Sequence, residues 1–267
     1  MLTLNLINRE KSNIPFSISR FPDGEVQVTL GEFKRKESIL VLCRITNAEE
    51  LFIISQVINI LDRHGVVYDI NIYYLMGMRM DRVMDFNRPF TLEIVIDILS
   101  NSKAENIRVL EPHSTRFESL GGERFSNLED PFLIGLKKGL FITHQIVLPD
   151  EGAKARYQTD SATVLCSKIR EEATGKLLKF QVDNPSSIHG NSLLIMDDLC
   201  DGGGTFCGIA EELKKYVPEA EIDIFVTHMV NPRGIDTLSL NFKRVYFTNS
   251  YRTWRNLPDN VTQLEIV

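Results

Sequence analysis

Short apolar runs alternate with helix-period segments along nearly the whole chain, and this alternation restricts the possible folds more than any other feature. Residues 38–45 (SILVLCRI) read as a buried strand. Thr46-Asn47-Ala48-Glu49 follows, with a hydroxyl and a carboxylate spaced as in a capping box. Leu51, Ile54, Val57, Ile58 and Leu61 then recur at helical spacing, and Gly65 suits a C-cap. Residues 70–76 read as a strand, 90–102 as a helix and 107–110 as a short strand. The second half repeats the style, with strands expected at 145–148, 193–196, 222–227 and 244–248 and a helix over 205–217. Strands separated by helices imply an α/β protein with a parallel sheet covered on its faces. The stretch 166–191 mixes charge with Asn-Pro-Ser-Ser and reads as a long mobile loop or a hairpin. Long loops in compact domains are often functional.

The chain has 267 residues, enough for two modest domains, and a break near Asp130-Pro131 gives expected domains at 1–131 and 132–267. Its net charge of −6 argues against a general nucleic-acid binder, so recognition of anions must rest on local Arg and Lys. The four cysteines, at 43, 166, 200 and 207, form no CxxC pair and no zinc spacing, which predicts free thiols. The opening MLTLNLINREKSN lacks a charged lead-in followed by a long apolar run. No stretch approaches a membrane span. We therefore expect a soluble cytoplasmic protein without a membrane partner.

The most informative segment is 193–208, LLIMDDLCDGGGTFCG. An apolar strand ends in Asp197 and Asp198. Asp201, three glycines and Thr205 follow, and a helix then begins. Successive glycines let the backbone turn tightly and aim its N–H groups at one point. A helix starting there adds the positive end of its dipole, which suits a phosphate. The carboxylates repel phosphate, but they suit sugar hydroxyls or a magnesium ion. No GK[ST] closes the loop, so it is not a Walker A motif. On composition alone, a tight turn with solvated acids is the competing reading.

The segment resembles the phosphoribosyl-diphosphate loop of type I phosphoribosyltransferase folds. Other segments, in matching order, narrow the resemblance to the ribose-phosphate pyrophosphokinases: RFPDGE at 20–25, RMDRVMDFNRP at 79–89, VLEPHSTR at 109–116 and LPDEGAKAR at 148–156. Thr227-His228 and Thr248-Asn249-Ser250 resemble two further family landmarks. The similarity runs from about residue 20 to 265. It implies two pseudo-repeated phosphoribosyltransferase-like domains, each a mostly parallel sheet flanked by helices. It also implies transfer of the β,γ-diphosphate of ATP to the 1-hydroxyl of a ribose 5-phosphate compound, with release of AMP.

Carried over by position, the resemblance implies that Phe21, Asp23 and Glu25 hold adenine across a subunit contact. Arg79 and Asp81 bind ATP, His113 touches metal or ATP phosphates, and Asp150 serves the metal–ribose site. Asp197, Asp198 and Asp201 hold ribose hydroxyls, and Gly202, Gly203, Gly204 and Thr205 form the 5-phosphate loop. Lys168 and Arg170 match a Lys-x-Arg pair on a mobile catalytic loop, where two cations suit a transfer that spreads negative charge. The implied cofactor is Mg²⁺, the partners are ATP and the sugar phosphate, and a homo-oligomer (dimer or larger) is expected.

The chain also departs from the pattern. The family's opening strand, serine-rich turn and first helix are expected to be absent before RFPDGE, and its final helix after QLEIV. These ends help build oligomer contacts and phosphate regulation in that family. Gly202 stands where relatives usually carry Thr, EPHS replaces DLHS, and Met80 replaces Gln. A smaller residue at 202 could open the pocket to a larger ester such as ADP-ribose, which would link the protein to NAD metabolism. Two rivals share the loop. One is a phosphoribosyltransferase, which would not need the segments at 79–89 and 109–116. The other is a non-catalytic nucleotide-sensing homologue, which would lack Lys168 and Arg170. His64, His144 and His189 receive no functional reading.

Overall fold

A computed structural model describes the chain except for residues 129–134, 136–138, 158–162 and 171–176; the side chains of residues 170, 177 and 178 also lie outside the description. The chain packs as two compact units, Met1–Asp130 with Val267, and Pro131–Ile266.

The first unit carries a parallel sheet of β1 (Leu2–Asn5), β4 (Ile39–Ile45), β5 (Tyr68–Leu75), β6 (Ile107–Val109) and β7 (Phe125–Asn127), adjacent in that order. A separate antiparallel hairpin joins β2 (Phe16–Arg20) to β3 (Val26–Leu30). Helices α1 (Ala48–His64), α2 (Thr91–Ser100) and α3 (Arg116–Gly121) link the later strands. In α1 the predicted stripe of Leu51, Ile54, Val57, Ile58 and Leu61 is the buried face, and Gly65 closes the helix in the left-handed region at φ 62°. Side-chain amide groups of Gln56 bond the Val28 N–H and the Val26 carbonyl, seating the hairpin on this helix.

Two expectations need correction here. The capping box is displaced by one residue. Asn47 accepts from the Glu50 N–H, and the Glu50 carboxylate receives both the N–H and the hydroxyl of Thr46. Glu49 instead points away and pairs with Arg20. The opening strand is also present: β1 pairs in parallel with β4. Four residues at a sheet edge leave too short an apolar pattern to stand out.

The second unit holds β8 (Gln145–Leu148), β9 (Val164–Arg170), β10 (Leu177–Val182), β11 (Ser192–Cys200), β12 (Glu221–Met229), β13 (Val245–Thr248) and β14 (Val261–Leu264). Their spatial order is β10-β9-β8-β11-β12-β13-β14, parallel except for β10. Helices α4 (Glu151–Tyr157), α5 (Gly204–Lys214) and α6 (Pro232–Asn241) make the crossovers after β8, β11 and β12. Leu193 and Ile195 pack into one core while Leu194 and Met196 pack into another. This is the period of two that a strand buried on both faces requires, and it explains the unbroken apolar run.

The stretch read as a loop or hairpin is a hairpin at its two described arms, with Lys168 opposite Phe180. The Phe180 ring lies where a side chain at Gly208 of α5 would stand, so the hairpin rests on that helix. Strand β11 runs on to Cys200, past the expected end at Met196, so Asp197 and Asp198 lie within it.

From β8 the chain crosses to β9 on one side, and from β11 it crosses to β12 on the other. The crossover direction therefore reverses between β8 and β11. In open α/β sheets, ligands occupy the crevice outside the carboxyl ends of strands at such a reversal.

Gly234 on α6 lets the loop after β11 come close. A Cβ there would stand 2.2 Å from the Asp201 carbonyl oxygen, whereas one at Gly204 meets nothing within 4 Å. We expect Gly234→Ala to lower stability by about 2 kcal/mol, the cost typical of overpacking. Gly204→Ala should be nearly silent. Urea midpoints compare the two, and equal midpoints would refute this account of the contact.

Candidate functional site

At the carboxyl ends of β8 and β11 the sequence brings four charged groups into two linked pairs. Asp150 follows β8 and caps α4, its Oδ1 accepting the Ala153 N–H at 3.0 Å. Its Oδ2 meets the Lys168 Nζ of β9 at 2.9 Å. Burial opposes ionisation of Asp150, but the hydrogen bond and charge of Lys168 hold its carboxyl below the usual carboxylate range. In the last turn of α4, the Arg156 Nη1 reaches Asp197 at 3.1 Å and Asp198 at 3.0 Å. Asp198 is buried and Asp197 nearly so. Burial, and then the charge of Asp198, push the Asp197 carboxyl well above its usual range, while Arg156 pulls it back.

Beyond Cys200 the chain turns through Asp201 and Gly202. Gly203 sits in the left-handed region at φ 82° and begins α5 with no side-chain cap bond. Uncapped first-turn N–H groups are the donors that an anion can take. Asp201 is held by Asn231, the residue that caps α6, through a 2.8 Å bond from its Nδ2. The predicted residues Asp150, Lys168, Asp197, Asp198, Asp201 and Gly202–Thr205 thus gather at one end of one sheet. Arg170 ends β9, but its side chain lies outside the description.

Behind this rim, the two sequence landmarks at 227–228 and 248–250 meet as one buried network. Ser250 Oγ donates to the Thr227 carbonyl at 2.9 Å and lies 2.8 Å from His228 Nδ1. Thr248 Oγ1 donates to the same carbonyl.

The first unit holds its own cluster. The guanidinium of Arg82 grips Asp81 through 2.7 and 2.9 Å bonds, and Arg116 donates to the Asp81 carbonyl at 3.2 Å. The hydrogen bond from Arg82 is the largest cause that lowers the Asp81 carboxyl to about 2, helped by Ser114 and opposed by burial. Asp81 therefore ties the 79–89 segment to the 109–116 segment. His113 lies exposed within the second of these segments, two residues after Glu111, which adopts φ 36°. A left-handed residue before proline is strained, a condition that often accompanies functional sites. Phe21, Asp23 and Glu25 form the exposed tip of the β2–β3 hairpin, where Asp23 Oδ1 accepts the Glu25 N–H.

Sequence reasoning missed Arg156, Asn231 and the pairing of Asp81. Arg156 had a signal: adjacent carboxylates in a buried strand demand a cation. Asn231, before Pro232, is a recognisable N-cap. The cluster of His144, Asp223 and Arg244 was also missed; His144 Nε2 lies 2.8 Å from the buried Asp223 Oδ2, and the exposed Arg244 contacts the same oxygen. All four cysteines are free. No described helix is long and apolar enough to cross a membrane.

This architecture, a mostly parallel sheet whose acidic strand end runs into a glycine loop at the reversal point, is that of the phosphoribosyltransferase-like α/β proteins. The fold matches the crystal structure of phosphoribosylpyrophosphate synthetase from Mycobacterium smegmatis with a TM-score of 0.76 at 19% identity, covering 97% of this chain and 88% of that one. No protein-family model matches the chain. Among curated proteins, the ribose-phosphate pyrophosphokinase of Vibrio vulnificus (strain YJ016) is 26% identical over 232 residues, covering 80% of this chain and 71% of the relative. That of Pasteurella multocida is 25% identical over 228 residues, with the same coverage. The chain is thus similar over about 80% of its length to curated ribose-phosphate pyrophosphokinases, and it shares the fold of a solved phosphoribosylpyrophosphate synthetase.

Asp197 gives a pH test. Its folded pKa is raised above the unfolded value of about 3.9, so its contribution to stability falls as pH rises past about 4. Asn at this position has no such dependence. We expect Asp197→Asn to raise stability by about 1 kcal/mol at neutral pH and to converge with the parent below about pH 4. Urea midpoints at acid and neutral pH check this; a variant less stable at neutral pH would overturn it.

Proposed function

We propose that the protein moves the β,γ-diphosphate of ATP onto the 1-hydroxyl of a ribose 5-phosphate compound, ribose 5-phosphate itself giving phosphoribosyl diphosphate, and releases AMP. The observation that carries this reading is the uncapped glycine turn opening α5, directly after the acidic end of β11 at the reversal point of the sheet. The N–H groups of Gly202, Gly203, Gly204 and Thr205 hold the 5-phosphate. Asp197, Asp198 and Asp201 accept from the ribose hydroxyls and fix the anomeric oxygen, so that proximity supplies much of the acceleration. Attack of that oxygen on the β-phosphorus breaks its bond to the α-phosphate oxygen. Lys168, held by Asp150 on β9, stabilises the negative charge spreading over the transferred group, and Arg170 assists it.

In the first unit, Arg79 and His113 bind the ATP phosphates, and Asp81 keeps their loop in place. The hairpin tip of Phe21, Asp23 and Glu25 reaches adenine on a neighbouring subunit, which makes the working unit a homo-oligomer. Among the described residues no three His, Cys, Asp or Glu side chains form a ready cluster for a metal. The cofactor we infer is Mg²⁺, which keeps waters and binds through one or two carboxylates plus substrate phosphates. His113 in the first unit and Asp150 in the second are each candidate ligands for it, and when bound it would neutralise phosphate charge.

A second reading, the same chemistry on a larger ester such as ADP-ribose, draws support from Gly202. A Cβ at that position would meet nothing within 4 Å, so the loop leaves open room there. ATP-dependent AMP release with ribose 5-phosphate and with ADP-ribose decides the acceptor. AMP release with neither, alongside turnover of phosphoribosyl diphosphate with a base, would establish a phosphoribosyltransferase. ATP binding without turnover would establish a sensor.

Two outcomes follow for variants. Lys168→Ala should lower kcat at least about 100-fold, as loss of a transition-state charge partner does. An unchanged kcat would remove Lys168 from the reaction. If ADP-ribose is the acceptor, Gly202→Thr should shift the kcat/KM ratio towards ribose 5-phosphate by about 10-fold or more, the scale on which small steric changes discriminate. An unchanged ratio would discard the open loop as the cause.

A further inference from the structure

The loop that leaves β13 carries cations and aromatic rings that the reaction described above does not use. Its sequence is Tyr251-Arg252-Thr253-Trp254-Arg255-Asn256. Arg252 and Arg255 are exposed, as is Arg233 in the first turn of α6. Several other exposed arginines of this acidic chain are matched to acids: Arg20 to Glu49, Arg82 to Asp81 and Arg244 to Asp223. Among the described residues, no ion pair joins Arg233, Arg252 or Arg255 to a carboxylate. Uncompensated cations grouped on one rim attract an anion.

Hydrogen bonds hold the loop in place. The Gln263 side chain on β14 accepts the Trp254 N–H at 3.2 Å and donates to the Arg252 carbonyl at 2.9 Å. The Trp254 indole N–H donates to the Met229 carbonyl at 3.2 Å, and Asn256 turns the chain onward at φ 54°. The Arg252 guanidinium lies 5.3 Å from the Trp254 ring centroid. A guanidinium stacked on a ring keeps its edge N–H groups free for a phosphate. Strand pairing places the loop. Met229 stands beside Cys200 in the β11–β12 ladder, and Val230 donates to the Cys200 carbonyl at 3.0 Å. Asp201 and Gly202 come next and open the glycine turn. Trp254 is therefore anchored on a residue one strand spacing, about 4.8 Å, from the start of that turn. Arg233 is tied to the same turn, because its N–H donates to Asn231, which also holds Asp201.

Sheet order gives this rim a direction. Lys168 on β9 lies to one side of β11, and the three arginines follow β12 and β13 on the other. An acceptor gripped by its 5-phosphate, with its anomeric carbon towards Lys168, would send any substituent on that phosphate towards the arginines. We propose that Arg233, Arg252 and Arg255, supported by Trp254, form a second anion subsite for the far phosphate of an acceptor whose 5-phosphate is joined to another phosphate, as in a nucleoside-diphosphate ribose. This assignment rests on the sugar-phosphate reading of the glycine turn and names the side chains that choose an extended acceptor over a bare one.

Trp254 is the chain's single tryptophan, so its fluorescence reports this loop alone. The probes are ADP-ribose, ribose 5-phosphate, ADP and inorganic phosphate, each titrated into the full chain without ATP. ADP-ribose should change the emission, and ribose 5-phosphate should not. The double variant Arg252→Ala/Arg255→Ala should lower the calorimetric affinity ratio of ADP-ribose to ribose 5-phosphate by about 10-fold or more, the scale of a lost charge-assisted bond. Both side chains are exposed, so the variant should melt with the parent. Silence of Trp254 towards ADP-ribose, or an unchanged ratio, overturns the subsite. Phosphate or ADP binding at the loop as tightly as ADP-ribose would make it an independent anion site, which also overturns the assignment. These readouts need no turnover. A parent protein that binds ADP-ribose at Trp254 but releases no AMP keeps the subsite and loses only the proposed diphosphate transfer.

Discussion

Two adjacent carboxylates at the buried end of β11 require a cation, and Arg156 provides it. Asp198 is almost fully enclosed, and its neighbour shares the same guanidinium at about equal distance. Removing one partner from a buried pair costs about 3–5 kcal/mol, because the remaining charge loses its compensation. That demand fixes where α4 must lie, since Arg156 stands in its last turn. The start of the same helix is capped by Asp150, and Asp150 in turn holds Lys168. One electrostatic requirement therefore sets the relative positions of β8, α4, β9 and β11, the elements around the reversal of the sheet.

The regular elements were largely legible because each has a local cause. The helical stripe of α1, its left-handed glycine and the exact extent of β8 follow from periodicity and turn chemistry that a sequence displays directly. The glycine loop was legible for the same reason: Gly203 needs a backbone conformation that other residues rarely adopt. What sequence reading could not supply were partnerships decided by tertiary approach. Glu50 rather than Glu49 closes the cap because the first helical turn begins one residue later than the Thr-x-x-Glu spacing suggests. Strand β1 is stabilised by its neighbour β4, not by its own pattern. The extension of β11 through its acids is likewise tertiary, since β12 continues to pair with it as far as Cys200.

Candidate site residues divide along the same line. Those of the second unit were found as a run of sequence and remain together in space. Asp81 was marked as a nucleotide ligand on resemblance, but its carboxylate is occupied by Arg82 and Ser114. That pairing ties the 79–89 segment to Ser114 and the start of α3. The trio around Asp223 shows the converse. Nothing near His144 or Arg244 in sequence points to the other, because they converge only when β8, β12 and β13 line up at the opposite end of the sheet.

An acidic protein that handles polyanions needs its phosphate recognition to be nearly independent of net charge. Backbone amides at a helix start meet that need, since they attract an anion without adding a side-chain cation that the surrounding acids would neutralise. In the proposed function the carboxylates beside them would serve the uncharged part of the sugar. The two described cations on α4 and β9, Arg156 and Lys168, already have carboxylate partners. Of the two, Arg156 is bound to a buried pair and cannot leave without stranding charge. Lys168 meets a partly exposed Asp150 through one bond, and exposed pairs of this kind hold by about 1 kcal/mol or less. A phosphate carrying greater charge can outcompete Asp150 for Lys168 but not Asp198 for Arg156. In the proposed reaction this would separate a fixed structural cation, Arg156, from one free to follow the transferred group, Lys168.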